Sequence, residues 1–141
     1  MFNAKTGILA LILVASASAA HAGTLTFTAE NVEARGGTLY IGVQTEDQFM
    51  QQDGIAGDMI EAPTAGAHTM TFDLPAGDYS VSVWHDLDGD GEFDRTDTGM
   101  PLDGWAMING ASLRGAPTFD AVKISVPEAG VSASEAVIYP R

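Results

Sequence analysis

Strict alternation between apolar residues and small or polar residues constrains the fold of this chain more than any other feature. In the first such segment, threonines separate Leu25, Phe27 and Ala29. The alternation recurs at residues 39–43, 70–74, 79–83 and 122–126, and a shorter β-branched and aromatic run covers residues 136–139. Successive side chains of a strand point to opposite faces, so this period predicts half-buried strands. Without any long helical pattern, the runs predict an all-β fold, an antiparallel Ig-like β-sandwich of about seven strands.

The inward members of these runs are the predicted core. They are Leu25, Phe27, Leu39, Ile41, Val43, Phe72, Val81, Val83, Ile124 and Val126. One short helix is predicted over residues 45–52, because Thr45 and Gln48 have the spacing of a capping box and Gly54 follows the end. Pro75 and Gly77 predict a tight turn between two of the strands.

The first 22 residues have the organisation of a secretory signal. Lys5 precedes an apolar run over residues 7–14, and the segment ends in the small-x-small sequence Ala20-His21-Ala22. The apolar run is shorter than the roughly 20 residues that a membrane-spanning helix needs. We therefore expect cleavage after Ala22, a single β-sandwich domain over residues 23–141, and a periplasmic or secreted location.

Composition narrows the classes of partner. The net charge is −13, and it becomes one unit more negative when Lys5 leaves with the signal. A chain this acidic is poorly suited to nucleic acid or anionic lipid, because phosphate binding needs Lys and Arg. It contains no cysteine, so an exported domain of this sequence must be held by its core, or by its core and a metal.

One long segment, residues 87–118, lacks alternation and is rich in Asp, Gly and Pro. Structureless connections longer than about 12–15 residues are uncommon in compact domains. Residues 86–97, which overlap the start of this segment, read D-x-D-x-D-G-x-F-D-x-x-D, the spacing of an EF-hand-like calcium loop. The predicted ligands are the carboxylates of Asp86, Asp88, Asp90, Asp94 and Asp97 and the backbone carbonyl of Glu92.

Two features of this loop depart from the helical calcium hand. Asp97 closes the loop where Glu is usual, and a strand, not a helix, precedes it. An acidic surface turn is the simpler alternative. Against that alternative, six carboxylates within twelve residues repel one another unless a cation lies among them. We therefore expect Ca²⁺ at this loop.

Other residues offer weaker alternatives. His68 and His85 could supply nitrogen to a transition metal, but no third ligand accompanies them. Trp84 and Trp105 fit either a sugar-stacking platform or packing of the core and the long segment. The alternative function is therefore a carbohydrate- or peptide-binding accessory module that uses Trp105 and the long segment.

No enzyme signature is present. The sequence has no Gly-x-Ser-x-Gly elbow. Its clustered carboxylates share one loop, whereas a glycosidase pair faces a cleft. We therefore expect a non-enzymatic binding or accessory module.

Four ordered motifs resemble the exported bacterial domain-of-unknown-function family 2141. They are Leu74-Pro75-Ala76-Gly77-Asp78-Tyr79-Ser80-Val81, the loop from His85 to Asp94, Gly99-Met100-Pro101-Leu102-Asp103-Gly104-Trp105, and Pro117-Thr118-Phe119-Asp120-Ala121. Asp103 stands where the family usually has Glu, and Trp105 where it usually has Tyr. The resemblance implies a β-sandwich related to prealbumin-like and carboxypeptidase-regulatory modules, and it implies no particular activity.

The signal predicts the N-terminal residue of the mature protein. Protein recovered from the periplasm or the medium should begin at Gly23 by N-terminal sequencing. The substitution Ala22→Asp should block cleavage, because the peptidase requires a small residue there. Recovery of wild-type protein that still begins at Met1 on a membrane-bound species would contradict the prediction.

Overall fold

The structure is a computed structural model that describes residues 22–141, so the predicted signal, apart from Ala22, lies outside the described residues. Eight strands follow one another along this part of the chain: Ala22–Val32 (β1), Thr38–Gln44 (β2), Ala56–Glu61 (β3), Gly66–Pro75 (β4), Gly77–Asp86 (β5), Gly104–Met107 (β6), Lys123–Val126 (β7) and Val131–Ala136 (β8). A short helix, Phe119–Val122 (α1), and two 3₁₀ turns, Glu46–Gln48 and Gly110–Ser112, complete the regular structure.

The strands form two sheets. The first has the order β4-β1-β8, in which β1 pairs antiparallel with β4 and parallel with β8. The second has the order β3-β2-β5-β6, and β7 pairs with the first half of β5. The predicted all-β sandwich is confirmed, with eight strands in place of about seven and with one parallel pair among antiparallel ones.

The core between the sheets follows the alternation. β1 buries Leu25, Phe27 and Ala29 on one face, while the intervening threonines lie towards solvent. All the predicted core residues are buried except Ile124, which is half-buried and packs against the edge of the core. Burial of an apolar side chain contributes about 1.5–3 kcal/mol, so the alternating positions are a main source of the stability of the fold.

Some element boundaries differ from the sequence prediction. The run at residues 136–139 is not a strand. The last strand ends at Ala136, and Ile138 makes only an isolated bridge with Trp105. The predicted helix over residues 45–52 is a single 3₁₀ turn, which stops as the chain reaches a left-handed conformation at Met50 (φ 61°). Non-glycine residues rarely continue a helix from that conformation.

The C-terminal segment is fixed to the second sheet through His85. This residue is fully buried. Its Nε2 lies 2.7 Å from the Gly36 carbonyl oxygen, and its Nδ1 lies 2.7 Å from the Tyr139 hydroxyl. A carbonyl only accepts, so Nε2 donates to it, and Nδ1 is left to share a hydrogen bond with the Tyr139 hydroxyl. The Tyr139 oxygen in turn accepts the Glu33 N–H at 3.0 Å.

This arrangement also bears on the histidine alternative. Both ring nitrogens of His85 have protein partners, and His68 lies on β4 in the other sheet, where its Nε2 contacts the Thr64 carbonyl. The structure therefore does not support the two histidines as ligands of one metal.

Removing the hydroxyl of Tyr139 should destabilise the fold. Tyr139→Phe leaves the buried Nδ1 of His85 and the Glu33 N–H without their partner, and an unsatisfied buried polar group costs about 1–3 kcal/mol. The measurement is the free energy of unfolding from urea denaturation. Tyr40→Phe is the matched control, because that ring stacks on Trp84 and its hydroxyl has no hydrogen bond within residues 22–141. Equal losses in the two variants would contradict the prediction.

Candidate metal centre

The end of β5 supplies the first acidic residue of the site. Asp86 is the last residue of β5, pairs with Thr38 of β2, and is 1% exposed. Its carboxylate accepts the N–H of Gly89 at 3.0 Å and the N–H of Gly91 at 2.9 Å. Both glycines have positive φ (72° and 76°), a conformation that glycine adopts without strain. The loop therefore folds around the Asp86 carboxylate.

The next carboxylates repeat this local pattern nearer to solvent. Asp88 accepts the Asp90 N–H at 3.3 Å, and Asp90 accepts the Glu92 N–H at 2.9 Å. These short bonds curl the backbone, so that Asp88, Asp90 and Asp94 each offer an oxygen within 4.8 Å of the others. Three of the predicted ligands thus converge.

A further aspartate comes from outside the predicted loop. Asp103 is 2% exposed and forms a second group with Asp86 and Asp88, whose oxygens also lie within 4.8 Å of one another. It immediately precedes β6, where Gly104 pairs with His85, so the strand pairing brings Asp103 beside Asp86. Loop spacing cannot reveal a residue that arrives on another strand. The available signal was the acidic position in the motif over residues 99–105.

Asp103 also holds the loop in place through three donors. Its Oδ2 accepts the Trp84 Nε1–H at 2.9 Å and the Asp94 N–H at 3.1 Å, and its Oδ1 accepts the Leu87 N–H at 3.2 Å. An ionised carboxylate has about four acceptor sites, so capacity remains for a cation.

Asp97 and Glu92 are placed differently from the other predicted ligands. Within the described chain, the side chain of neither belongs to the two converging groups. Asp97 is exposed in a separate turn, in which the Gly99 N–H donates to the Thr96 carbonyl and the Thr96 N–H to the Met100 carbonyl, both at 2.8 Å. The chain therefore turns back after Asp94, and Asp103 approaches the cluster from that returning segment. The predicted role of the Glu92 carbonyl stays a prediction.

Crowding of negative charge changes the acidity of the cluster. The Asp90 N–H lowers the pKa of Asp88, but desolvation and the carboxyl groups of Asp86 and Asp90 outweigh it and raise that pKa to about 6. Desolvation, followed by the charge of Asp90, raises the pKa of Asp94. The site therefore concentrates oxygen donors whose mutual repulsion a hard cation offsets.

Fold and site together define a class, an all-β sandwich with an aspartate cluster at the end of its second sheet. The chain belongs to the bacterial family described as "Uncharacterized protein conserved in bacteria (DUF2141)", which matches residues 27–134 and includes the whole cluster. No curated protein and no solved structure matches the chain. Among residues 22–141, no helix is long and apolar enough to cross a membrane.

Because the pKa of Asp88 is raised, its charge should affect the stability of the protein in a pH-dependent way in metal-free buffer. The folded state holds this proton up to a pKa of about 6, whereas the usual pKa of an aspartate is 3.8. The folded state therefore binds more protons in this window, and the Asp88 contribution to stability falls as the pH rises through it. Asp88→Asn should raise the melting temperature at pH 7 relative to wild type, and this gain should shrink towards pH 4.

The measurement is the melting temperature of both proteins between pH 4 and pH 7.5. Asp53→Asn, an exposed aspartate outside the cluster, removes the same charge and reports the effect of net charge alone. A difference between wild type and Asp88→Asn that is the same at every pH would show that the prediction is wrong.

Proposed function

We propose that this protein is an exported, non-enzymatic β-sandwich module that binds one calcium ion at its aspartate cluster. The observation that carries the proposal is that several carboxylates converge on one place. Two groups of carboxylates share Asp88, and one of them adds Asp103 from outside the loop. Burial of Asp86 and Asp103 beneath the exposed Asp88 and Asp90 gives the cluster a fixed base and an open approach from solvent.

The donor set favours a hard cation of flexible geometry. Calcium takes about six to eight oxygen ligands, and Asp86, Asp88, Asp90, Asp94 and Asp103 supply carboxylate oxygens only. A backbone carbonyl from Glu92 and water complete such a shell in EF-hand-like loops. Magnesium is less well suited, because it requires near-ideal octahedral geometry and retains most of its water.

An ion at this position would have a structural role. It would join the end of β5 to the residue before β6 and so order the intervening loop. Cysteine is absent from the sequence, and a structural metal is an alternative way to staple a small exported domain.

The sequence supports export, and the contacts of the acidic cluster and of His85 support a lack of catalysis. Residues 1–22 have the three parts of a secretory signal. The clustered acids share one centre, and the buried His85 uses both ring nitrogens within the fold. A general base needs a free nitrogen within reach of a substrate, so His85 is poorly placed for such a role.

Ligand binding beside Trp105 is the second candidate function. The half-buried Trp105 lines a cavity of about 600 Å³ on the second sheet, within the range of small-molecule sites. This cavity supports ligand binding at Trp105, whatever the class of ligand, and does not depend on the metal.

Calcium should stabilise the folded protein. A ligand that binds only the folded state adds about 1.4 kcal/mol at ten times its Kd, which raises the melting temperature by a few degrees. The comparison is between millimolar calcium and excess chelator, with titration calorimetry for the heat of binding. Asp88→Ala and Asp90→Ala should each abolish the rise, and Asp53→Ala should retain it.

The same assay separates the two possible closing residues. Asp97→Ala should retain the calcium-induced rise, because Asp97 lies outside both groups, whereas Asp103→Asn should lose most of it. Identical melting of wild type in calcium and in chelator, with no heat of binding, would overturn the proposal.

A further inference from the structure

The cavity beside Trp105 is a groove on the outer face of the second sheet, and we name it the tryptophan groove. Its floor consists of outward side chains of β5 and β6, namely Ser82, Trp84, Trp105 and Met107. Phe93, Arg95 and Pro101 form one wall. The other wall consists of small and apolar residues, namely Gly110, Ala111, Leu113, Gly115, Ala116 and Pro117. The groove is distinct from the aspartate cluster, although Phe93 and Arg95 flank Asp94.

The floor is preformed by strand register. Trp84 pairs directly with Tyr40 on one side and with Trp105 on the other, so three aromatic residues lie in a row across β2, β5 and β6. Tyr40 stacks on Trp84 with centroids 4.9 Å apart, and Phe93 meets the same indole edge-on at 6.3 Å. The Trp84 Nε1–H bond to Asp103 fixes the indole orientation.

Small residues leave the space beside this row. Ser82 occupies the outward position of β5 next to Trp84 and pairs with Met107. A short side chain therefore lies beside the large indoles. At the far wall, a Cβ on Gly110 would lie 3.1 Å from Cζ3 of Trp105, which shows how closely that segment approaches the ring. The hollow is therefore bounded by packed aromatic and backbone surfaces.

The lining indicates what kind of molecule fits. Apart from Ser82 and Arg95, the side chains that line the groove are apolar or absent. A sugar needs several hydrogen-bonding partners, which such a lining does not offer. An apolar body, in contrast, gains roughly fourfold in affinity for each CH₂ buried. Met50 and Met107, which also line the groove, can adjust to its shape.

Arg95 supplies the only charge in this lining. Its guanidinium lies 4.8 Å above the Phe93 ring, and one nitrogen donates to the Gly99 carbonyl at 3.3 Å. Among residues 22–141, no carboxylate lies within 4.0 Å of it, whereas Arg35 and Lys123 are both paired with acids. An arginine has about five N–H donors in a planar fork that matches a carboxylate.

We propose that the tryptophan groove binds an amphipathic monocarboxylate. Its aliphatic or aromatic body lies against Trp84 and Trp105, and its carboxylate pairs with Arg95. The nearby acidic loop opposes an anion, and a cation held there reduces that repulsion. Calcium therefore strengthens binding, but the groove itself does not require the metal.

Tryptophan fluorescence tests this inference directly, because the chain has two tryptophans and both line the groove. Decanoate, titrated into the wild-type protein, should shift the emission saturably in chelator and at lower concentration in calcium. Octanoate should bind roughly sixteenfold more weakly, since it buries two fewer CH₂ groups and each is worth about fourfold. Arg95→Gln should weaken decanoate binding about tenfold, as expected for loss of a charge-assisted hydrogen bond.

Two controls isolate the carboxylate contact. Arg114→Gln removes the same charge from an exposed arginine outside the lining and should leave decanoate binding unchanged. Decan-1-ol should bind wild type and Arg95→Gln equally. No saturable response to decanoate in either buffer, equal weakening by both arginine substitutions, or a response to maltose and cellobiose in place of decanoate would overturn the inference. Failure of calcium to bind would remove only the difference between the buffers.

Discussion

Backbone pairing along β5 is the interaction on which the other parts of the structure depend. This strand pairs with β2 on one side and with β6 and β7 on the other. Its inward residues, such as Val81 and Val83, are buried in the core, and its outward Trp84 forms the floor of the tryptophan groove. The acidic loop folds around the carboxylate of Asp86, the last residue of β5, and this carboxylate accepts two backbone N–H groups of the loop. Core, groove and cluster are thus placed by the register of a single strand.

Asp103 connects the two surface features. One of its oxygens accepts both the indole N–H of Trp84 and the backbone N–H of Asp94. The first donor belongs to the groove and the second to the acidic loop. A charged acceptor shared between two donors restricts both of them, and hydrogen bonds to an ionised group are about twice as strong as neutral ones. The position of the loop is therefore tied to the orientation of the indole.

The sequence predicted the parts of the fold that have one buried face. β1, β2, β4 and β5 alternate clearly because each contacts the core on one side only. β3 and β8 lie at sheet edges and are mostly exposed or half-buried, so they show little hydrophobic pattern. In the cluster, local spacing placed Asp88, Asp90 and Asp94 together. It did not identify Asp103, because Asp103 reaches the cluster only through the pairing of β6 with β5, which no local motif encodes.

The parallel pairing of β1 with β8 has a consequence for the order of folding. β1 is the central strand of its sheet, and its partner on one side is β8, the last strand within residues 22–141, with Leu25 opposite Val131. A ribosome releases the chain from its N-terminus, so β1 is available long before β8. β4 is made first and can form the antiparallel pair with β1, while the other edge of β1 stays unpaired until β8 has been made. An unpaired edge is a template for association between chains. Completion of this sheet, and protection of the newly made protein from such association, therefore awaits the synthesis of β8.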